Sequence, residues 1–129
     1  MFSRISKIMI EEQMADNRCE KILRLILTFC ELNPGITRIL TGDPLAGETE
    51  RLRVRVSQLF DRIETQLRQI LREMNIREDR KASIDPTVAA NLLLSIVEGR
   101  IGQYVRSDFA RNPTEHWDIQ WPTIKEALF

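Results

Sequence analysis

The residues able to do chemistry are few and stand apart from one another. His116 is the only histidine, with no second imidazole to share a metal, and Cys19 and Cys30 form no CxxC arrangement. Placed on one helix, the two cysteines lie roughly 16 Å apart at about 1.5 Å per residue, too far to bridge, and read as reduced core thiols. Nucleophile motifs, phosphate-binding loops and paired catalytic glycines are absent. The expectation is no enzyme, no metal and no cofactor. The pattern that does stand out is a polar stripe of Arg24, Thr28 and Glu31, at spacings of four and three inside the apolar run from Ile22 to Leu32. On a helix that spacing leaves one narrow slot open to water along an otherwise hydrophobic circumference.

A helix from Asp16 to Asn33 must carry this stripe and sit inside a bundle. Cys19, Ile22, Leu23, Ile26, Phe29 and Cys30 pack on one side, while Leu25, Leu27 and Leu32 need cover on the other. Asn33-Pro34-Gly35 ends it by removing a donor and disfavouring helix at Asn33. The rest of the chain is helical too, because Val, Ile and Thr never alternate with polar residues over a strand's length. Phe2 to about Met14 is a first helix whose apolar stripe already runs at residue 2, so it is either entered part way along or simply starts the domain. Ile36 to Leu40 forms a short turn of helix, followed by a loop to Gly47. The longest helix, Glu48 to about Ile76, carries a heptad-like seam at Val56, Phe60, Ile63, Leu67, Ile70 and Met74. That seam lasts about three heptads, which favours an internal packing edge over a free coiled coil.

Charge narrows the partners. Nineteen basic residues balance 19 acidic ones in 129, so the overall field argues for neither nucleic acid nor membrane. Arg51, Arg53, Arg55, Arg62, Arg68 and Arg72 interleave with Glu48, Glu50, Asp61, Glu64 and Glu73, which reads as a solvated helix face with Glu64 and Arg68 paired. No apolar run reaches the ~18 residues of a membrane span and the start has no signal-peptide layout, so the expectation is a soluble cytoplasmic protein. A chain of this length suits one domain, residues 1–129, burying roughly two-thirds of its unfolded surface.

After a polar linker, Asp85-Pro86 caps and opens a helix running to about Phe109. Its apolar set exceeds what one neighbour can cover, and Ser95, Gly99 and Gly102 put small residues on one side where a second backbone can approach. Asp118 is expected to cap a last helix, to Leu128, that groups Trp121, Ile124, Ala127 and Leu128. The two helices together predict the interface of a twofold homodimer, built from Leu92, Ile96, Gly99, Tyr104, Trp121, Ile124 and Leu128.

Three separated segments then carry a family likeness: Asn33-Pro34-Gly35-Ile36-Thr37-Arg38-Ile39-Leu40-Thr41-Gly42; Gln58 to Glu64 with Gln66 to Glu73; and Val105 to Phe109 with Trp121-Pro122. In order and spacing they resemble the nucleoid occlusion factors, a group of TetR-like regulators. The resemblance implies an all-α dimerisation and partner-binding bundle whose last two helices form a four-helix interface. It implies DNA binding only through an N-terminal helix-turn-helix domain that these residues lack. It further implies capture of the C-terminal tail of the tubulin-like division protein FtsZ, antagonising septum assembly over the nucleoid. The groove would lie between the first two helices and use Arg4, Leu25, Thr28, Leu32 and Asn33. One departure matters: the family's groove has a basic residue where Leu32 stands, which weakens capture of an acidic tail unless Arg24 or Arg4 substitutes. Two other classes remain open on the residues alone, a small-molecule-sensing TetR-like domain with an apolar cavity between the hub helix and the long helix, and a helical interaction module with no DNA partner.

Overall fold

The computed structural model describes residues 1–42 and 50–129. Among these, six helices run in order: α1 (Phe2–Glu11), α2 (Ala15–Leu32), α3 (Pro34–Leu40), α4 (Glu50–Arg77), α5 (Pro86–Arg106) and α6 (Trp117–Leu128). The expected loop to Gly47 and the start of the long helix at Glu48 lie outside the described residues. The all-helical architecture follows the periodicity, and α2 is its hub, touching α1, α3, α4 and α5.

The core forms where the apolar stripes of α2, α4 and α5 meet. Ile22, Leu23, Ile26 and Leu27 of α2 face Ile63, Leu67, Ile70 and Met74 of α4 and Leu93, Val97 and Ile101 of α5, all of them fully or almost fully buried. Each such side chain contributes about 1.5–3 kcal/mol by leaving water, so this layer dominates the stability of the bundle. The heptad-like seam of α4 is therefore an internal edge. Cys19 and Cys30 are buried and unbridged, as expected, and burial pushes both thiols up from their ordinary range.

Helix ends show which local signals hold. Asp85 caps α5, its carboxylate accepting from the Thr87 amide at 2.8 Å. Pro34 opens α3, and the buried Thr37 hydroxyl bonds back to the carbonyls of Cys30 and Asn33 at 2.9 and 2.8 Å, locking the α2–α3 corner. Three expectations need correction. α1 stops at Glu11 rather than near Met14, because buried Arg18 seizes the carbonyls of Met9 and Glu12 at 2.8 and 2.7 Å. α5 ends at Arg106 rather than Phe109, since Asp108 and Phe109 adopt φ of 54° and 65°. Finally, Asp118 does not cap α6: His116 occupies that position at φ 62°, and Asp118 lies inside the first turn.

Arg18 also fixes the angle between α1 and α2. Its side chain is 7% exposed, bonds two carbonyls at the end of α1 and meets Glu73 of α4 at 3.7 Å. The Ala15 amide at the start of α2 is satisfied by Glu78 Oε2 at 2.8 Å, a cap supplied from beyond α4 rather than by a neighbour in sequence. These bonds hold α1 as a rail beside α2 with a furrow between.

Candidate functional site

The furrow opens where α1 and the second half of α2 diverge. A cavity of about 370 Å³ there is lined by Met1 and Arg4 of α1 and by Leu25, Thr28, Phe29, Leu32 and Asn33. All five residues expected for the groove thus share one concavity. Leu25 and Phe29 are half-buried and form an apolar floor, Thr28 and Arg4 stand exposed on the walls, and Leu32 is 72% exposed at the lip. The expectation that Leu32 packs under a neighbouring helix is therefore corrected: it is the last residue of α2, and no described residue covers it. Asn33 Nδ2 donates to the Phe29 carbonyl at 2.8 Å, closing the end of α2 and holding the floor in register.

A second compartment continues the furrow toward the far end of α1. It shares Arg4, Leu25 and Thr28 with the first and adds Lys7, Ile8, Glu11, Lys21 and Arg24, enclosing about 560 Å³. Four cations and one carboxylate line this stretch, and carboxylates of the chain itself hold three of the cations. Lys7 is drawn to Glu11 at 3.8 Å, Lys21 to Glu12, and Arg24 to Glu20 at 2.6 Å, whereas Arg4 meets no carboxylate among the described residues. Sequence reasoning missed Lys7, Ile8 and Lys21 as lining residues. The signal was present, since Lys21, Arg24 and Thr28 recur at helical spacing along the same edge as Leu25 and Leu32.

The polar stripe of α2 is split between two jobs. Thr28 and Arg24 face the furrow, but Glu31 turns the other way. Its carbonyl accepts from the Tyr104 hydroxyl at 2.9 Å and its carboxylate from the Thr114 hydroxyl at 2.6 Å. α6 is tied to the same helix: Trp117 Nε1 donates to Glu20 at 3.1 Å, Asp118 meets Arg24 at 2.8 Å and Lys125 meets Asp16 at 3.3 Å.

The residues expected at a dimer interface separate into two groups. Tyr104 and Leu128 are 4% and 3% exposed within the single chain, engaged by Glu31 and by the core, so they have almost no surface left to offer a partner. Leu92, Ile96 and Gly99 on α5 and Trp121 and Ile124 on α6 keep exposed or half-buried surface. A side chain at Gly99 or Gly102 would meet nothing within 4 Å, so no packing among the described residues accounts for either glycine. Val88 at 56% and Leu92 at 44% exposure extend the same outward stripe. Between α2 and α4, the space a small-molecule sensor would keep open is occupied by Ile26, Leu27, Ile63 and Leu67.

Among the described residues six helices of this connectivity build an all-helical domain with a grooved flank and an outward stripe on its last two helices. The tetracyclin repressor-like, C-terminal domain of SlmA-like proteins matches residues 13–129, and the chain belongs to that family. It is 54% identical over 128 residues to the nucleoid occlusion factors SlmA of Shewanella amazonensis and Shewanella sediminis, and 52% identical to that of Idiomarina loihiensis. Each alignment takes in 99% of this chain and 65% of the relative, so the chain spans just under two-thirds of the length of the relatives it matches. Among the described residues no helix is long and apolar enough to cross a membrane.

Proposed function

We propose that residues 1–129 act as one regulatory and dimerisation domain of a nucleoid occlusion factor, docking the C-terminal tail of FtsZ in the α1–α2 furrow. The single observation that carries this reading is the furrow itself: Arg4, Leu25, Thr28, Leu32 and Asn33 line one cavity, with an apolar floor and a cation that no carboxylate of the described residues neutralises. A disordered tail loses conformational entropy on docking, so it needs apolar anchors for affinity and a few polar groups for register. Leu25 and Phe29 supply the first and Arg4, Thr28 and Asn33 the second. Lys7, Lys21 and Arg24 continue the furrow, and acidic residues flanking the anchor would exchange with the carboxylates that hold them, Glu11, Glu12 and Glu20. A tail bound this way has modest affinity, and two grooves on one dimer meeting a polymer of tails raise it through effective concentration.

The dimer of this reading pairs the outward stripe of α5, Val88, Leu92, Ile96 and Gly99, with its twofold copy, flanked by Trp121 and Ile124 of α6. Small residues at Ser95, Gly99 and Gly102 let the two α5 backbones approach. DNA contact in the full-length relative's manner belongs to a segment outside these residues, and the domain acts in the cytoplasm at the nucleoid.

The test is a fluorescence-anisotropy titration of a labelled FtsZ tail peptide against the wild type and the Arg4→Asp/Leu25→Asp double variant. Both side chains are at least partly exposed, so the fold should persist by circular dichroism while affinity falls at least tenfold. Unchanged affinity removes the furrow from consideration.

A further inference from the structure

The linker between α4 and α5 is pinned to the end of α6. The Ser83 amide donates to the Leu128 carbonyl at 3.1 Å and its hydroxyl to the Ala127 carbonyl at 2.7 Å, while Arg80 reaches the Phe129 carbonyl at 2.8 Å. Held there, the linker encloses with the last turns of α4 a cavity of about 360 Å³. Leu71, Ala82, Ile84 and Pro86 make its lining apolar. Ile84 is 39% exposed and is no part of the core, so its burial inside the chain does not account for it. Two cations, Arg72 of α4 and Lys81 of the linker, also line the cavity and are exposed. Neither makes a hydrogen bond or an ion pair among the described residues. The carboxylate beside them, Asp85, is spent on the Thr87 amide at 2.8 Å as the cap of α5. The furrow cations Lys7, Lys21 and Arg24, by contrast, are held by carboxylates of the chain itself.

We propose that this cavity binds a small amphipathic carboxylate, its apolar chain against Leu71, Ala82 and Ile84 and its charge at Arg72 and Lys81. A preformed apolar concavity with a few convergent polar groups is the usual form of a small-ligand site. The apolar chain leaves water on entering, and a guanidinium offers a carboxylate two parallel donors. At ~30 Å³ for each water-sized group the space holds about a dozen heavy atoms. A segment of a partner protein fits less well, because a docked peptide needs a run of anchors along a groove, and this cavity is short. A cationic ligand would meet two unpaired positive charges. The inference stands apart from the furrow reading, and either can fail without the other.

The probe is octanoate, with about ten heavy atoms, titrated into the chain at ~0.1 M salt and followed by two-dimensional amide NMR. The amides of Leu71, Arg72, Ala82 and Ile84 should shift on one saturable curve with a Kd of roughly 0.1 to 1 mM, while those of Leu25, Thr28 and Leu32 stay in place. Octanol, which keeps the chain and drops the charge, should bind at least about threefold more weakly. The Arg72→Gln/Lys81→Gln variant changes two exposed side chains, so it should keep its circular dichroism and lose the preference for octanoate over octanol. Ile84→Ser should weaken both ligands by about threefold or more. No saturable shift at the cavity up to ~3 mM, equal affinity of the wild type for both ligands, or a double variant with the wild-type preference overturns the proposal. So does octanoate that shifts the furrow amides instead. A short acetylated peptide of leucine and glutamate that outcompetes octanoate at the cavity makes the occupant a protein segment and overturns it as well.

Discussion

Arg24 of α2 and Asp118 of α6 meet at 2.8 Å, joining the helix that walls the furrow to the first turn of the last helix. Arg24 lines the furrow's second compartment and bonds Glu20 as well, so an incoming peptide carboxylate competes with two carboxylates of the chain's own. The side chains are 51% and 82% exposed, and a pair in that setting contributes about 0–1 kcal/mol. Asp118→Ala should therefore leave the melting temperature nearly unchanged and tighten an acidic tail peptide by roughly two- to fivefold. Parallel anisotropy and thermal-melt measurements check both halves. Weaker binding with an unchanged melt would mean that Asp118 helps the peptide rather than competing with it.

Leu32 offers the converse change. It sits at the lip of the furrow, 72% exposed, with no positive charge of its own. Leu32→Arg adds a cation beside Asn33 at little structural cost and should tighten the same peptide by roughly two- to fivefold at ~0.1 M salt, with the gain shrinking as salt rises. A salt-independent gain would point to packing, and no gain would place the peptide's acidic residues elsewhere.

Much of this arrangement was legible beforehand, and what was missed shares one cause. Periodicity assigns a residue to a face, so the seam through Phe60, Ile63, Leu67, Ile70 and Met74 and the cap at Asp85 could be read directly. Thr28 with Leu25 could be placed at a slot for the same reason. Which neighbour covers a face depends on contacts far apart in sequence, and there the reading failed. Glu64 chose Asn91 over Arg68, Tyr104 spent its hydroxyl on Glu31, Leu128 went into the core, and Leu32 was left bare because α2 ends beneath it. The turn at Asp108 and Phe109 carries no glycine to announce its positive φ.

The dimer reading rests on a stripe exposed in the single chain. Leu92 is 44% exposed, so Leu92→Asp costs the isolated fold little and places a charge at the centre of the interface. Sedimentation equilibrium should give the wild type at twice the 15.1 kDa chain mass and the variant at the chain mass, with matching circular dichroism. A variant that still runs at the doubled mass would move the interface off α5.

Glu98 provides a pH signature. Burial raises its carboxyl above the ordinary value, and Glu64 and Asp61 push in the same direction. The folded state then binds a proton more readily than the unfolded chain, so stability declines as pH climbs from the unfolded value, ~4.3, through the folded one. Glu98→Gln should melt slightly higher than the wild type at pH 7, and the difference should vanish near pH 4. Melting curves across that range check it; a gap that widens on acidification has the wrong sign.

Mapping the peptide on the chain tests the central claim most directly. In a two-dimensional amide NMR titration with the FtsZ tail peptide, the amides of Arg4, Leu25, Thr28, Leu32 and Asn33 should shift together along one saturable curve, with those of Val88, Leu92 and Ile96 unmoved. Shifts centred on the outward stripe of α5, or none at saturating peptide, would contradict the account.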